Sequence, residues 1–273
     1  MDETDFKAQL KATFNTVSEG YDGQALRFFS GGAEHLAACL NLRGDERVLD
    51  VATGTGHTAL SIAACVPRGR VTGVDLSPSM LERARQKAGA RNLGNVEFIK
   101  MDMEALGFAE DSFDVAACAF GIFFVEDMVS LLSRIAKVVK PGGRVAIATF
   151  QEDYFQPLAE MFLDRLAGCG IQRPTQGWKR VATEAGCRAL FEQAGLHNIN
   201  VEQQNVGYYL KSADDWWDIV WNAGFRMLID QLPSIEQERL KHEHLLEIDA
   251  LKTTDGIWLD VGILITVGGL REL

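Results

Sequence analysis

Between residues 47 and 150 short apolar runs alternate with amphipathic stretches. Arg47–Ala52, Arg70–Asp75, Asn95–Ile99, Phe113–Ala119 and Arg144–Phe150 are compact runs rich in valine, isoleucine and alanine, the pattern of buried strands. The stretches between them have helical spacing. One helix is predicted from His57 to Cys65. A second opens at Ser77-Pro78, with serine as N-cap and proline in the first turn. Val129, Leu132, Ile135, Ala136 and Val139 mark a third, predicted to stop at Lys140-Pro141-Gly142-Gly143. Strands that alternate with helices pair in parallel through right-handed crossovers, which predicts an α/β fold with a doubly wound, mostly parallel sheet.

The flanks are more helical. Phe6, Leu10, Phe14 and Val17 predict a helix over 5–19, and a second is predicted over 31–42 after the polar turn Glu19–Gly23. Beyond 150, helices are predicted over 154–168 and 183–194, a strand over Asn198–Val206, two helices within 213–251 and a strand over Gly256–Val267. The sheet then has seven strands, with a helical insertion between the last two. The predicted organisation is one domain, 1–273, with an N-terminal helical segment 1–44, a core 45–150 and the insertion 213–251. Ser234-Ile235-Glu236-Gln237 reads as a capping box opening the second insertion helix.

The chain has 273 residues, 47% apolar and 24% charged, enough to bury a real core and too apolar for disorder. Its 38 acids against 27 bases give a net charge of −11, which repels a phosphate backbone and disfavours nucleic acid as partner. The acidic start, Met1–Asp5, does not resemble a secretory leader. The longest apolar run, Ala59–Val66, is too short for a membrane span. Cys39, Cys65, Cys118, Cys169 and Cys187 are scattered and odd in number, which predicts buried free thiols and a cytoplasmic location.

The informative stretch is Asp50-Val51-Ala52-Thr53-Gly54-Thr55-Gly56-His57. Gly54 and Gly56 fall where the first strand turns into a helix, so a ligand can approach the backbone and the helix N-terminus. Asp75 ends the second strand, where a carboxylate can accept both hydrogens of a ribose diol. Asp102 follows the third strand, placed to meet an adenine edge. These features also fit a dinucleotide-binding loop, and a purely structural turn is the plainest alternative. Asp50 separates the ligands: a carboxylate at the mouth of the loop repels a pyrophosphate and suits a ligand bearing an ammonium and a sulfonium, such as S-adenosylmethionine.

Residues 47–150 resemble a class I S-adenosylmethionine-dependent methyltransferase. VLDVATGTG, VTGVDLSPSML, the run around Asp102, FDVAACAFG and VVKPGGRVAIATF occur in family order. The last two, with Phe14-Asn15 and Tyr21-Asp22, are most similar to the ubiquinone/menaquinone C-methyltransferase group. The resemblance implies a Rossmann-like methyltransferase fold with S-adenosylmethionine as donor. It implies that Ala52, Thr53, Gly54 and Gly56 surround the methionine moiety, with Asp50 beside them. It places Asp75 on the ribose, Leu76 on the adenine face, Asp102 and Met103 at the adenine edge, and the Ala119 carbonyl near the donor's amino group. Tyr21 would close over the donor from the N-terminal helix. Two departures stand out. Ala52 replaces the usual first glycine of the loop, which requires a negative φ. Phe123-Phe124 replace the usual Arg-Asn of the quinone-methylating enzymes, which implies a more apolar acceptor site.

A sulfonium methyl is already electrophilic, so positioning of donor and acceptor carries much of such a reaction. No catalytic base is evident. Glu126 and Asp127 are read first as a helix N-terminus, and His57 as a polar residue at another. His242 and His244 fall on different faces of a helix, so no metal site is predicted. The first insertion helix, with Trp216, Trp217, Ile219, Val220 and Trp221, is apolar on most sides. It reads either as packed core or as a lid in which Trp217 and Trp221 join Phe123 and Phe124 around the acceptor. The function expected is methyl transfer to a small, partly apolar molecule. The alternatives are an NAD(P)-dependent oxidoreductase and a non-catalytic donor-binding protein.

Overall fold

The computed structural model describes residues 3–173 and 177–272. The chain divides into two compact units, one of residues 29–152, 176–204 and 263–273, the other of residues 1–28, 153–175 and 205–262. The N-terminal segment and the insertion fall in the second unit with 153–175, and Phe28 is separated from Phe29, so the units do not follow the segments 1–44, 45–150 and 213–251.

The first unit is a seven-stranded sheet. Its strands are β1 (Arg47–Val51), β2 (Arg70–Asp75), β3 (Val96–Lys100), β4 (Phe113–Ala119), β5 (Val139–Phe150), β6 (His197–Asn205) and, after two short strands described below, β9 (Gly262–Gly269). The order across the sheet is β3-β2-β1-β4-β5-β9-β6. β1 to β5 pair in parallel, and β9 runs antiparallel to β5. Val48, Leu49, Val71, Val74, Val115, Ala116, Val145 and Ile147 are fully buried, because a sheet covered by helices buries both faces of its central strands. The helices of this unit are α2 (Phe28–Cys39, all but its first residue), α3 (His57–Cys65), α4 (Pro78–Ala90), α5 (Met128–Lys137) and α7 (Glu184–Gln193). Ser77 caps α4, accepting from the Met80 amide at 3.2 Å. Asp127 caps α5, accepting from the Ser130 amide at 2.9 Å, which is the plainer of the two roles open to it.

Pro141-Gly142-Gly143 do not separate helix from strand as predicted; β5 already begins at Val139 and runs through them. The register slips between Phe113↔Val139 and Val115↔Arg144, so the extra residues form a bulge with Gly142 at φ 73°. Beneath the sheet, the buried Glu46 carboxylate accepts from the amides of Arg43 (2.6 Å), Gly44 (2.9 Å) and Asp45 (3.2 Å), closing the turn into β1. These bonds hold its pKa low against the burial that raises it.

The second unit comprises α1 (Glu3–Val17), α6 (Leu158–Gly168), β7 (Tyr208–Leu210), α8 (Ala213–Asn222), α9 (Arg226–Ile229), α10 (Ser234–Asp249) and β8 (Ile257–Leu259). The insertion thus holds three helices instead of the two predicted, and β7 and β8 form a separate antiparallel pair. The capping box is also corrected: Ser234 lies inside α10, whose cap Pro233 offers no side-chain bond. Gln237 instead donates to the carbonyls of Ile229 (3.2 Å) and Leu232 (2.8 Å). The core of this unit is aromatic. Phe28–Phe155, Phe155–Trp216, Trp216–Phe225 and Phe162–Phe225 have ring centroids 5.2, 5.9, 6.2 and 5.4 Å apart. Trp216 and His244 are both fully buried, and the indole Nε1 donates to His244 Nε2 at 2.8 Å. That bond requires an unprotonated Nε2, and burial pushes the His244 pKa down to about 4.

Among the cysteines, only Cys118 and Cys187 are buried; Cys65 is exposed and Cys39 and Cys169 are half-buried, which corrects the expectation of uniformly buried thiols. None of the described helices is long and apolar enough to cross a membrane.

Candidate functional site

The order β3-β2-β1-β4-β5 reverses direction between β1 and β4. At such a switch point the following connections diverge and leave a crevice beyond the carboxyl ends of the strands. Two informative segments lie there, Ala52–Gly56 after β1 and Phe120–Phe124 after β4. A Cβ built on Gly121 would fall 2.6 Å from the Ala52 Cβ, so the loops touch at this point.

The loop after β1 is held from below. The Thr53 amide donates to the Val74 carbonyl at 2.9 Å, and the Gly56 amide to the Thr53 carbonyl at 2.8 Å. The Thr53 hydroxyl donates to Asp50 Oδ2 at 2.5 Å. Gly73 makes room for that hydroxyl, since a Cβ there would lie 2.9 Å from Thr53 Oγ1. Gly54 and Gly56 have φ of 54° and 84°, the left-handed region that glycine enters at least cost. A Cβ on Gly54 would meet nothing within 4 Å, so this stretch of backbone faces open space. A Cβ on Gly56 would lie 3.0 Å from that of Ala84, so this glycine serves close packing.

Ala52 has φ 54°, not the negative value its substitution for glycine called for. An alanine there carries roughly 1–2 kcal/mol of left-handed strain. Phe120, after β4, is left-handed as well, at φ 54°. Its amide donates to the Ala148 carbonyl at 2.8 Å, and its ring stacks on Phe150 with centroids 4.6 Å apart. Such positions persist only where the surroundings over-determine them. Of the run Phe120–Phe124, sequence reasoning took Phe123 and Phe124 as site residues and gave Phe120 and Gly121 no role, and it missed Gly73; a glycine inside the strand run RVTGVD was the available signal for Gly73.

Two carboxylates flank the loop. Asp75 accepts from the Gly54 amide through Oδ2 (2.8 Å) and from the Ser77 amide through Oδ1 (2.8 Å). Each oxygen keeps a further lone pair, so both can still receive a diol. Burial raises its pKa, opposed by the amides of Ser77, Gly54 and Leu76. Asp50 is 1% exposed, and its Oδ1 has no hydrogen-bond partner. Burial pushes its pKa up to about 7, against the pull of the Thr53 hydroxyl and the Ala59 amide, and the charge of Asp75 adds to the rise. An orphaned buried carboxylate oxygen near the end of β1, before a loop whose Gly54 backbone is open, fits the cationic methionine end of S-adenosylmethionine and disfavours a pyrophosphate.

The other predicted donor residues lie at neighbouring strand ends. Leu76 follows β2 directly. The Met101 amide donates to the Asp75 carbonyl at 3.0 Å, bringing the end of β3 beside it. Asp102 Oδ1 accepts from the Glu104 amide at 2.9 Å, and Met103 packs against the core. Ala119 closes β4, paired with Ala148. Phe123 and Phe124 follow in a short 3-10 turn, half-buried, with centroids 5.1 Å apart; Phe123 lies 6.3 Å from Phe150. Tyr21, Trp217 and Trp221 belong to the other unit. There Tyr21 meets Phe14 edge to face at 6.2 Å. Trp217 and Trp221 stack at 6.1 Å, with Lys241 5.6 Å from the Trp217 ring and Arg226 3.6 Å from that of Trp221.

Residues 48–143 match the methyltransferase domain family Methyltransf_25. The ubiquinone/menaquinone biosynthesis C-methyltransferase UbiE of Cronobacter sakazakii is 35% identical over 187 residues, 62% of this chain and 73% of that protein. Other relatives of that name match over 50% to 71% of their length. The aklanonic acid methyltransferase DauC of Streptomyces sp. (strain C5) is 29% identical over 71% of this chain and 90% of its own. Among solved structures, the YcgJ protein of Bacillus subtilis superposes with a TM-score of 0.60 at 22% identity, over 89% of this chain and 99% of that one, which shows the shared fold.

Proposed function

This chain belongs to the class I S-adenosylmethionine-dependent methyltransferases, in the UbiE-like group, and from that premise we propose that its acceptor is a small, planar, largely apolar molecule. The donor supplies an electrophilic methyl carbon when bound. The residues of the chain then bind, orient and exclude water. Asp75 receives the ribose hydroxyls, the Gly54 backbone borders the methionine moiety, and Asp50 faces its positive charge. Leu76, Asp102 and Met103 frame the base, and the Ala119 carbonyl meets the donor's amino group.

The observation that carries the acceptor reading is the aromatic pair Phe123–Phe124 beyond β4 at the switch point, backed by Phe150 and Phe120. Rings in this position offer a planar acceptor stacking area and exclude water, while providing no charge to fix a polar one. The named relatives, in ubiquinone/menaquinone biosynthesis and on aklanonic acid, support a small organic acceptor. We place Phe123 and Phe124 as acceptor-binding residues.

The test is a panel of quinols, polycyclic phenols and polar amines incubated with methyl-labelled S-adenosylmethionine. Label is expected in the planar apolar compounds. Phe123→Ala and Phe124→Ala should each raise acceptor KM about tenfold or more while donor affinity holds. Label only in the polar amines would refute the acceptor class. A folded Phe123→Ala or Phe124→Ala protein with unchanged KM would remove that residue from the site.

A further inference from the structure

We propose that Asp50 surrenders a proton to solvent when the donor binds, so that donor affinity rises with pH across the neutral range. The inference rests on the donor reading above, and three features of the free protein carry it. Asp50 is 1% exposed, so its charge is stripped of water. One carboxylate oxygen is held by the Thr53 hydroxyl at 2.5 Å and the other, Oδ1, is unpartnered. Among the described residues no lysine or arginine pairs with it. A buried carboxylate in this position is destabilised as an anion until a cation arrives.

The groups around Asp50 have the same sense. On β2 its neighbour is Gly73, and Asp75 beyond it contributes a second negative charge. On β4 its neighbour is Ala117; the adjacent Cys118 is fully buried, and its thiol is pushed up by burial and by the charge of Asp50. Toward the charged form pull only the Thr53 hydroxyl and the Ala59 amide in the first turn of α3. The balance leaves Asp50 with a pKa of about 7, so it is partly protonated at neutral pH. A ligand bringing an ammonium and a sulfonium favours the anion, and the Asp50 O–H proton leaves to solvent. No other bond forms or breaks.

The sign follows from linkage. Below neutrality the free site holds the proton and binding must displace it, so affinity falls; above about pH 8 the anion is already present, but the free donor loses its own ammonium proton, which ends the rise. For one group titrating near 7, donor affinity should rise about fivefold between pH 6 and pH 7.

Isothermal calorimetry with S-adenosylmethionine, in buffers of different ionisation enthalpy, counts the protons released. The wild-type chain is expected to release close to one proton at pH 6 and fewer at pH 7, and above about pH 8 to take protons up, because the donor's amino group, which titrates at about pH 8 when free, is bound as an ammonium. In Asp50→Asn the release at pH 6 should vanish and the affinity become flat between about pH 5.5 and pH 6.5, with circular dichroism reporting the fold. Should that variant fail to fold, the wild-type series still decides, because absence of proton release at pH 6 refutes the proposal. An Asp50→Asn protein releasing as many protons as wild type refutes it too. A chain that binds no S-adenosylmethionine at any pH would instead overturn the donor reading, a different failure.

Discussion

The groups that shape the donor loop of the sheet unit, Asp50, Thr53, Gly54, Gly73, Val74, Asp75 and Ser77, belong to one short stretch of chain. The helical unit is assembled from distant pieces: Phe28, Phe155, Phe162, Trp216 and Phe225 meet in one core, and the Tyr208 hydroxyl donates to the Ala25 carbonyl 183 residues away at 2.5 Å. The sheet unit is held by repeated backbone pairing, in which each side chain contributes a small share. The helical unit concentrates its packing in a few large rings. A site built on the first kind of scaffold is tolerant of neighbours and sensitive to its own loop; the second kind is vulnerable at single aromatic positions.

The largest expected effect follows from that contrast. Trp216→Ala should destabilise the helical unit by about 3–5 kcal/mol, because it opens a cavity and removes the donor to His244. Amide hydrogen exchange should accelerate across 213–249 while β1 and β2 keep their protection. Equal acceleration in both would show that the two cores are not separately stabilised, and would break the contrast.

Asp75→Ala probes the loop. It removes the acceptor for the Gly54 and Ser77 amides together with the proposed ribose contact, and should weaken S-adenosylmethionine binding by about 1.5–3 kcal/mol. Calorimetry on the folded variant checks this; unchanged affinity would take the ribose off Asp75.

The smallest effect is the sharpest structurally. Gly121→Ala places a methyl 2.6 Å from the Ala52 Cβ and should cost about 1–3 kcal/mol by denaturant unfolding. Ala52→Gly relieves both the clash and the left-handed strain, so the double variant should recover most of that loss. Simple additivity of the two changes would mean that the loops after β1 and β4 do not share this contact.

How much of the molecule was legible varies along these same lines. β2, β4 and α3 begin and end at their predicted residues, and β1 ends one residue early. Their signals are local: valine-rich runs, a glycine turn, a serine cap. The donor loop was legible for the same reason, down to Asp75 receiving the Gly54 amide. The left-handed φ of Ala52 was not, since the room for its methyl group is left by Gly121, far along the chain. The pair β7–β8 escaped because each strand has three residues and pairs only with the other. Trp216, Trp217 and Trp221 look alike in sequence, yet Trp216 alone is sealed by a histidine on a later helix.

By itself the sequence determined the order of strands and helices from β1 to β5, the phosphate-averse glycine loop and the two carboxylates beside it, because hydrophobic period, turn chemistry and spacing are properties of neighbouring residues; the family was legible from the resemblance of its motifs. The tertiary structure decided the rest. It joined the N-terminal helix, 153–175 and the insertion in one unit, ran β5 through Pro141-Gly142-Gly143, forced Ala52 and Phe120 into left-handed conformations, and buried Asp50 with an oxygen unpartnered. Those outcomes depend on which distant groups exclude water and which backbones approach most closely, and such contacts exist only once the chain has closed on itself.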